Sequence, residues 1–245
     1  PLANRRLVVL HDASAPESLR RALARLVPDG LRVIEVGRVA RDAASGRPAL
    51  DRDDLDAGAA LAREIFTRAR DIEGVLDLCD LTRADDGGRV EYGRIGFVQG
   101  ALSERGATPF FLLHVTAGLL SGETLAGAPM HGLVTAIAGE YRGVTARSID
   151  VERADLDPER LFALLAHEAA RSATTATGTM TDERQARYRN GQRELLALRE
   201  VPLAPALSVD SHRAYVIAGG TRGLGAAFAR LLVERGARRL ALLGA

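Results

Sequence analysis

Short apolar runs rich in branched side chains alternate with stretches whose apolar positions recur every three or four residues, and the rhythm repeats through most of the chain. The first pattern reads as buried strand and the second as amphipathic helix. Leu7-Val-Val-Leu10 is the first strand. A helix follows over residues 16–27, with Ser14 as N-cap and Leu19, Leu23 and Leu26 on one stripe. Pro28-Asp-Gly30 is turn chemistry before a strand over 31–39, and residues 41–48, small and charged, read as a loop. A long helix over 51–70 opens with an acidic first turn that suits the helix dipole.

A strand over 75–81, a helix over 90–105 and a strand over 108–115 continue the alternation, with Asp85-Asp-Gly-Gly88 as the break before the helix. A helix over 130–141 leads to a strand over 144–151, then to a helix over 158–171 with Asp157 placed to cap it. Residues 172–181 are a polar loop. Asn190-Gly191, flanked by alternating residues over 187–194, is a strong hairpin signal. Val201-Pro-Leu-Ala-Pro205 makes a linker, and beyond it come only a strand at 215–218, a glycine-rich turn, a helix and a strand over 239–243. The pattern predicts an α/β protein built from βαβ units around a mainly parallel sheet. Its organisation is Rossmann-like and unequal: a larger unit over residues 1–205, and an incomplete second unit over 206–245.

The turn in the second unit carries the most specific chemistry. Gly219, Gly223 and Gly225 give the spacing G-x-x-x-G-x-G between a strand and a helix, a variant of the dinucleotide fingerprint. Gly219 permits the tight turn, Gly223 lets a pyrophosphate meet the backbone, and Gly225 allows the helix to pack closely on the strand. The apolar residues Phe228, Leu231 and Leu232 supply the expected helix after it. Arg222, inside the loop, reads either as a partner for a phosphate on the adenosine ribose, favouring NADPH over NADH, or as a solvated cation. The acidic ribose partner is expected at the end of the following strand, where the sequence reaches Gly244-Ala245, so that position does not decide the cofactor. The first βα turn, residues 11–17, has no glycine, so the first unit copies the Rossmann arrangement without its phosphate site.

Composition narrows the alternatives. Of the 245 residues 47% are hydrophobic and 27% charged, with a formal net charge of +1, which gives no footprint for nucleic acid. No apolar run approaches the roughly twenty residues of a membrane span, and the first residues lack the layout of a signal peptide. A single cysteine, Cys79, excludes an internal disulfide and reads as a core residue of a reduced, cytoplasmic protein. The five histidines show no metal-ligand spacing, and the carboxylates at 51–56 and 85–86 are explained by capping and turn formation. No Ser-His-Asp arrangement is legible in the order of residues. Every basic side chain besides histidine is arginine: the chain has no lysine. A tyrosine without a nearby cation stays near a pKa of about 10 and is a poor proton donor near neutral pH.

The glycine segment, together with Tyr188-Arg-Asn-Gly-Gln-Arg193 in the preceding unit, resembles the ketoreductase region of modular type I polyketide synthases. The likeness extends to Gly132-Leu-Val-Thr-Ala-Ile-Ala-Gly-Glu-Tyr141 and Val144-Thr-Ala-Arg-Ser-Ile-Asp150, which look like the variants of trans-acyltransferase and iterative synthases. The resemblance implies a cofactor-free structural subdomain followed by the start of a short-chain-dehydrogenase catalytic subdomain. It also implies NADPH-dependent reduction of a β-ketoacyl group on an acyl carrier protein, among other synthase domains. Only the cofactor loop carries over, onto Gly219, Gly220, Thr221, Arg222, Gly223, Leu224 and Gly225. Ala218 stands where the family often has threonine, and the catalytic serine, tyrosine, lysine and asparagine have no counterpart. The chain is thus expected to be inactive alone and to bind NADPH weakly or not at all. It is either the front of a ketoreductase or part of a pseudo-ketoreductase kept as scaffold; a stand-alone oxidoreductase is hard to reconcile with the missing lysine.

Overall fold

Burial on both faces explains why the central strands are almost continuously apolar. Strands β1 (Leu7–Asp12), β4 (Gly74–Asp77) and β5 (Phe110–Ala117) are buried at every position, and β6 (Val144–Val151) at all but one. With β2 (Arg32–Gly37), β3 (Ala49–Asp51), β7 (Asp182–Arg189) and β8 (Gln192–Leu196) they form one sheet in the order β3-β2-β1-β4-β5-β6-β7-β8. Neighbours run parallel throughout except at β7–β8. The winding reverses between β1 and β4, the position at which doubly wound sheets open a crevice beyond the strand ends.

The computed structural model describes residues 6–19, 21, 32–37, 49–106, 108–153, 157–171, 182–197, 200–202 and 208–244. The chain divides into two compact units, Pro1–Leu198 and Arg199–Ala245. In the first unit, helices α1 (Leu55–Arg68), α2 (Tyr92–Glu104) and α3 (Ala128–Glu140) cover one face of the sheet, where Phe66, Phe97 and Val134 join Val8, Val75 and Leu112 in one core. Helix α4 (Pro158–Arg171) covers the other, where Leu161 and Leu165 pack with Val9, Leu113 and Ile149. In the second unit β9 (Ala214–Ala218) pairs parallel with β10 (Arg239–Leu243), connected through α5 (Gly223–Glu234).

Helices α1 and α2 meet backbone to backbone. A Cβ on Gly96 would lie 1.9 Å from the Leu55 carbonyl oxygen, and one on Gly58 would lie 2.0 Å from that of Gly93. The glycines of α2 therefore set the approach of the two helices, and Phe66 and Phe97 meet edge to face beside it.

Several local expectations shift. Ser14 does not cap the first helix: its hydroxyl and amide both donate to the Asp12 carboxylate in the turn after β1, and the helix starts at residue 17. The long helix begins at Leu55 because Asp51 accepts a hydrogen bond from the Asp53 amide, closing a local turn, and leaves Asp54 to cap through the Ala57 amide. Ala49–Asp51 forms a short edge strand that the apolar pattern did not announce. β4 ends at Asp77, so Cys79 lies in the following turn, buried in the core all the same. Phe228 and Leu231 are 59% and 42% exposed, and Ala229 is the buried residue of α5. Leu23, Leu26, the turn at 28–30, the loops at 41–48 and 172–181 and residues 203–205 of the linker lie outside the described residues.

Candidate functional site

The glycine-rich turn of the second unit is built as its spacing requires. Gly219 has φ +75° and Gly223 φ +54°, values that L side chains rarely adopt, and at both positions the space a Cβ would enter is open. Gly225 differs: a Cβ there would sit 2.1 Å from the Gly219 carbonyl oxygen, so its lack of side chain lets α5 start directly against the end of β9. The Gly220 amide closes the turn on Ile217 and Leu243. Arg222 is the residue before α5, extended and without a side-chain cap, and it is exposed. The first amides of a helix have no intrahelical acceptor, and with the helix dipole they favour an anion. Leu224 is 80% exposed on the first turn. At the end of β10, Gly244 lies against Thr221, whose hydroxyl oxygen would be 2.2 Å from a Cβ placed there. The loop thus combines an exposed backbone, an uncapped helix start and one exposed cation, a donor set that fits a pyrophosphate.

The corresponding crevice of the first unit is filled by its own charges. Asp12, at the end of β1, accepts from Ser14 and is paired with Arg52. Burial alone would raise the Asp12 carboxyl; the Ser14 hydrogen bonds and the Arg52 charge outweigh it and hold it below the ordinary value. Past β4, Arg94 on the first turn of α2 is completely buried between Asp77, Asp80 and Glu91, with nearest oxygens at 2.6, 2.6 and 2.8 Å. Arg83 reaches Asp80 and Glu91 at 3.1 Å each. Burial opposes the Arg94 charge, yet Asp77 and Asp80 hold its protonated form well above the usual range, and Arg94 keeps Asp80 ionised despite its burial.

The same strand ends assemble a constellation that residue order conceals. His114 on β5 meets Asp80 through Nε2 at 2.9 Å and the Ser148 hydroxyl of β6 through Nδ1 at 3.0 Å. This has the connectivity of a Ser-His-Asp triad. All three side chains are buried, and a second imidazole, His131, lies 2.8 Å from the same Ser148 oxygen, so no substrate carbonyl can approach it. The signal in the sequence was the interruption of apolar strands by Asp77, His114, Ser148 and Asp150. Asp150 accepts from Thr116 at 2.6 Å and from the Leu119 and Leu120 amides at 2.9 Å, and so anchors the loop after β5.

A further buried carboxylate ties α4 to the hairpin. Glu168 accepts from Tyr188 at 2.6 Å and Arg193 at 2.5 Å and pairs with Arg147 of β6 at 2.6 Å. Burial and the bond to Glu168 push the Tyr188 hydroxyl far up. Asn190 and Gly191 adopt φ +49° and +71°, the primed turn that their residue types favour. A groove of about 830 Å³ between α4 and this hairpin is lined by Val151, Leu161, Leu164, His167, Tyr188 and Arg193 among others. Among the described residues no group of His, Cys, Asp and Glu is arranged for a metal, and no helix is long and apolar enough to cross a membrane.

The doubly wound sheet and the glycine turn define an α/β protein of the short-chain-dehydrogenase fold. A short-chain dehydrogenase from Mycobacterium avium superposes with a TM-score of 0.55 at 17% identity, covering 98% of each chain. A ketoreductase from the macrolactin assembly line superposes with a TM-score of 0.61 at 14% identity, over 99% of this chain and 55% of that one. Residues 213–245 match the KR domain family model. Polyketide synthase PksL of Bacillus subtilis is 34% identical over 188 residues, 72% of this chain. The chain belongs to the ketoreductase regions of polyketide synthases, and it spans 4% of the length of that curated relative.

Proposed function

We propose that this chain supplies the structural subdomain and the cofactor loop of a ketoreductase that uses NADPH to reduce a β-ketoacyl group held on an acyl carrier protein. The observation that carries the reading is the turn at 219–225, where Gly219 and Gly223 take left-handed backbone conformations facing open space while Gly225 seats the helix. NADPH, when bound, supplies the hydride. The amides at the start of α5 would hold its pyrophosphate, and Arg222 a phosphate on its ribose. Gly219, Gly220, Thr221, Leu224 and Gly225 shape the cradle. The change from structural to cofactor-binding subdomain is placed at 205/206, close to the compact division after Leu198. Neighbouring synthase domains and the carrier protein are its partners, in the reducing cytoplasm that a lone buried thiol suits.

A strand, a turn, a helix and one more strand form only part of a dinucleotide cleft, so the isolated chain should bind NADPH weakly or not at all. Fluorescence titration checks this, and micromolar affinity would overturn it. In the parent ketoreductase, Gly223→Val should reduce NADPH-dependent reduction of a β-ketoacyl thioester at least tenfold. An unchanged rate would sink the cofactor reading. A parent polypeptide with no such activity to lose would support the second reading, a pseudo-ketoreductase scaffold. That reading is favoured by the commitment of the buried Tyr188 hydroxyl to Glu168.

A further inference from the structure

Helix α4 carries two stripes. Leu161 and Leu165 are buried in the core against the sheet, whereas Arg160, Ala163, Leu164 and His167 recur at the spacing of a second face and line the groove beside the β7–β8 hairpin. Its volume of about 830 Å³ lies in the range of roughly 300–1,000 Å³ usual for small-molecule sites. The floor is apolar: Val151 and Leu161 are each 2% exposed. Arg160, Ala163 and His167 are exposed at the rim, and Leu164 is half-buried.

The charges on the groove are of one sign. Arg160 and Arg193 line it, and no carboxylate is among its described lining residues. The two acids nearest in the fold are already met: Glu168 by Arg147 and Arg193, and Glu152, which follows Val151, by Arg189. Arg193 uses Nε and Nη2 on Glu168, and its Nη1 bonds to no described residue. His167 meets the Tyr188 hydroxyl through Nδ1 at 3.4 Å, which leaves Nε2 for another partner. The walls are set before anything binds, because Glu168 of α4 accepts from Tyr188 at 2.6 Å and Arg193 at 2.5 Å and so ties the helix to the hairpin. A site ordered in advance does not lose affinity to the ordering of its own side chains.

We propose that this groove is a binding site for a linear anionic amphiphile, a medium-chain carboxylate. Its tail lies along α4 over Val151, Leu161 and Leu164, and its head is held at the cationic rim by Arg160, Arg193 and His167. Arg160 and His167 are seven residues apart, about 10 Å along the helix, and that distance sets the length of tail the apolar stretch covers. A cationic chain of equal length would bury the same floor against the charges of Arg160 and Arg193. The site uses no residue of the turn at 219–225 and stands whether or not the chain binds NADPH.

Isothermal titration of the full chain with decanoate, kept below the concentration at which it forms micelles, tests this. Saturable binding is expected, with decyltrimethylammonium weaker by about tenfold or more. Ala163 is exposed on the groove side of α4, so Ala163→Glu sets a carboxylate at the rim without touching the core. It should weaken decanoate by about tenfold while leaving the circular dichroism spectrum unchanged. Equal affinity for the two amphiphiles would reduce the groove to an apolar surface and overturn the proposal. Equal decanoate binding by the unmutated chain and Ala163→Glu would put the ligand elsewhere, as on the exposed Leu224 and Phe228, and overturn it as well. No binding of decanoate, or binding only of an acidic helical peptide in its place, would also overturn it.

Discussion

The Arg94 guanidinium lies 2.6 Å from the carboxylate of Asp77, with both side chains wholly excluded from solvent. Strand β4 delivers the acid and the first turn of α2 the base, 17 residues later. A buried pair of this kind contributes little net stability, because desolvation offsets most of the attraction, but its loss leaves stranded charges. Arg94→Met should therefore destabilise the chain by about 3–5 kcal/mol, as Asp77, Asp80 and Glu91 lose their common counter-ion. Urea unfolding measures this, and a midpoint unchanged from the parent would contradict it.

Glu168 gives the protein an acid limit of its own. Burial would raise its carboxyl, but hydrogen bonds from Arg193 and Tyr188 and the charge of Arg147 outweigh that and hold it below the ordinary value of 4.5. A carboxyl depressed in the folded state contributes stability that is complete above the unfolded value and lost as pH falls through the folded one. Glu168→Gln should be less stable at pH 7 and should lose less stability than the parent below pH 4.5. Denaturant midpoints at several pH values test the sign.

Much of the first unit was legible as rhythm, because strands buried on both faces have to be apolar and the helices between them amphipathic. The strand over 144–151 and the helix over 158–171 match the expected boundaries, and the Asn190-Gly191 hairpin follows from backbone preference alone. Local side-chain competition was not legible: Ser14 serves Asp12 rather than a helix, and Asp51 delays the start of α1 by bonding its own neighbour. Nor was the polar file of His114, Ser148 and His131, since its members are brought together by the order of strands and by α3. The glycine spacing at 219–225 was readable because each glycine answers a separate geometric demand.

Helix α2 offers a test of packing that is independent of charge. Gly96→Ala places a methyl 1.9 Å from a backbone oxygen of α1, which cannot move as a side-chain end would. Overpacking of this type costs about 1–3 kcal/mol and forces the helices apart. Gly132→Ala, on α3 where a Cβ meets nothing within 4 Å, is the matched control and should be neutral or slightly stabilising. Equal thermal midpoints for the two variants would contradict the close crossing.

Cys79 should be slow to react. Burial and the nearby Asp77 push its thiol well up, leaving little thiolate at neutral pH. Labelling with an aromatic disulfide reagent should proceed only as fast as the first unit opens, and should accelerate when urea approaches its unfolding midpoint. Immediate stoichiometric labelling in native buffer would show the thiol to be accessible.

The two βα openings also differ in what sets their free energy. A fold that relies on a dissociable dinucleotide to neutralise its crevice gains stability only in proportion to the logarithm of ligand concentration. In the first unit Arg52, Arg83 and Arg94 are covalently part of the chain, so their concentration at the crevice never varies. The first unit is therefore expected to keep the same stability with and without added dinucleotide.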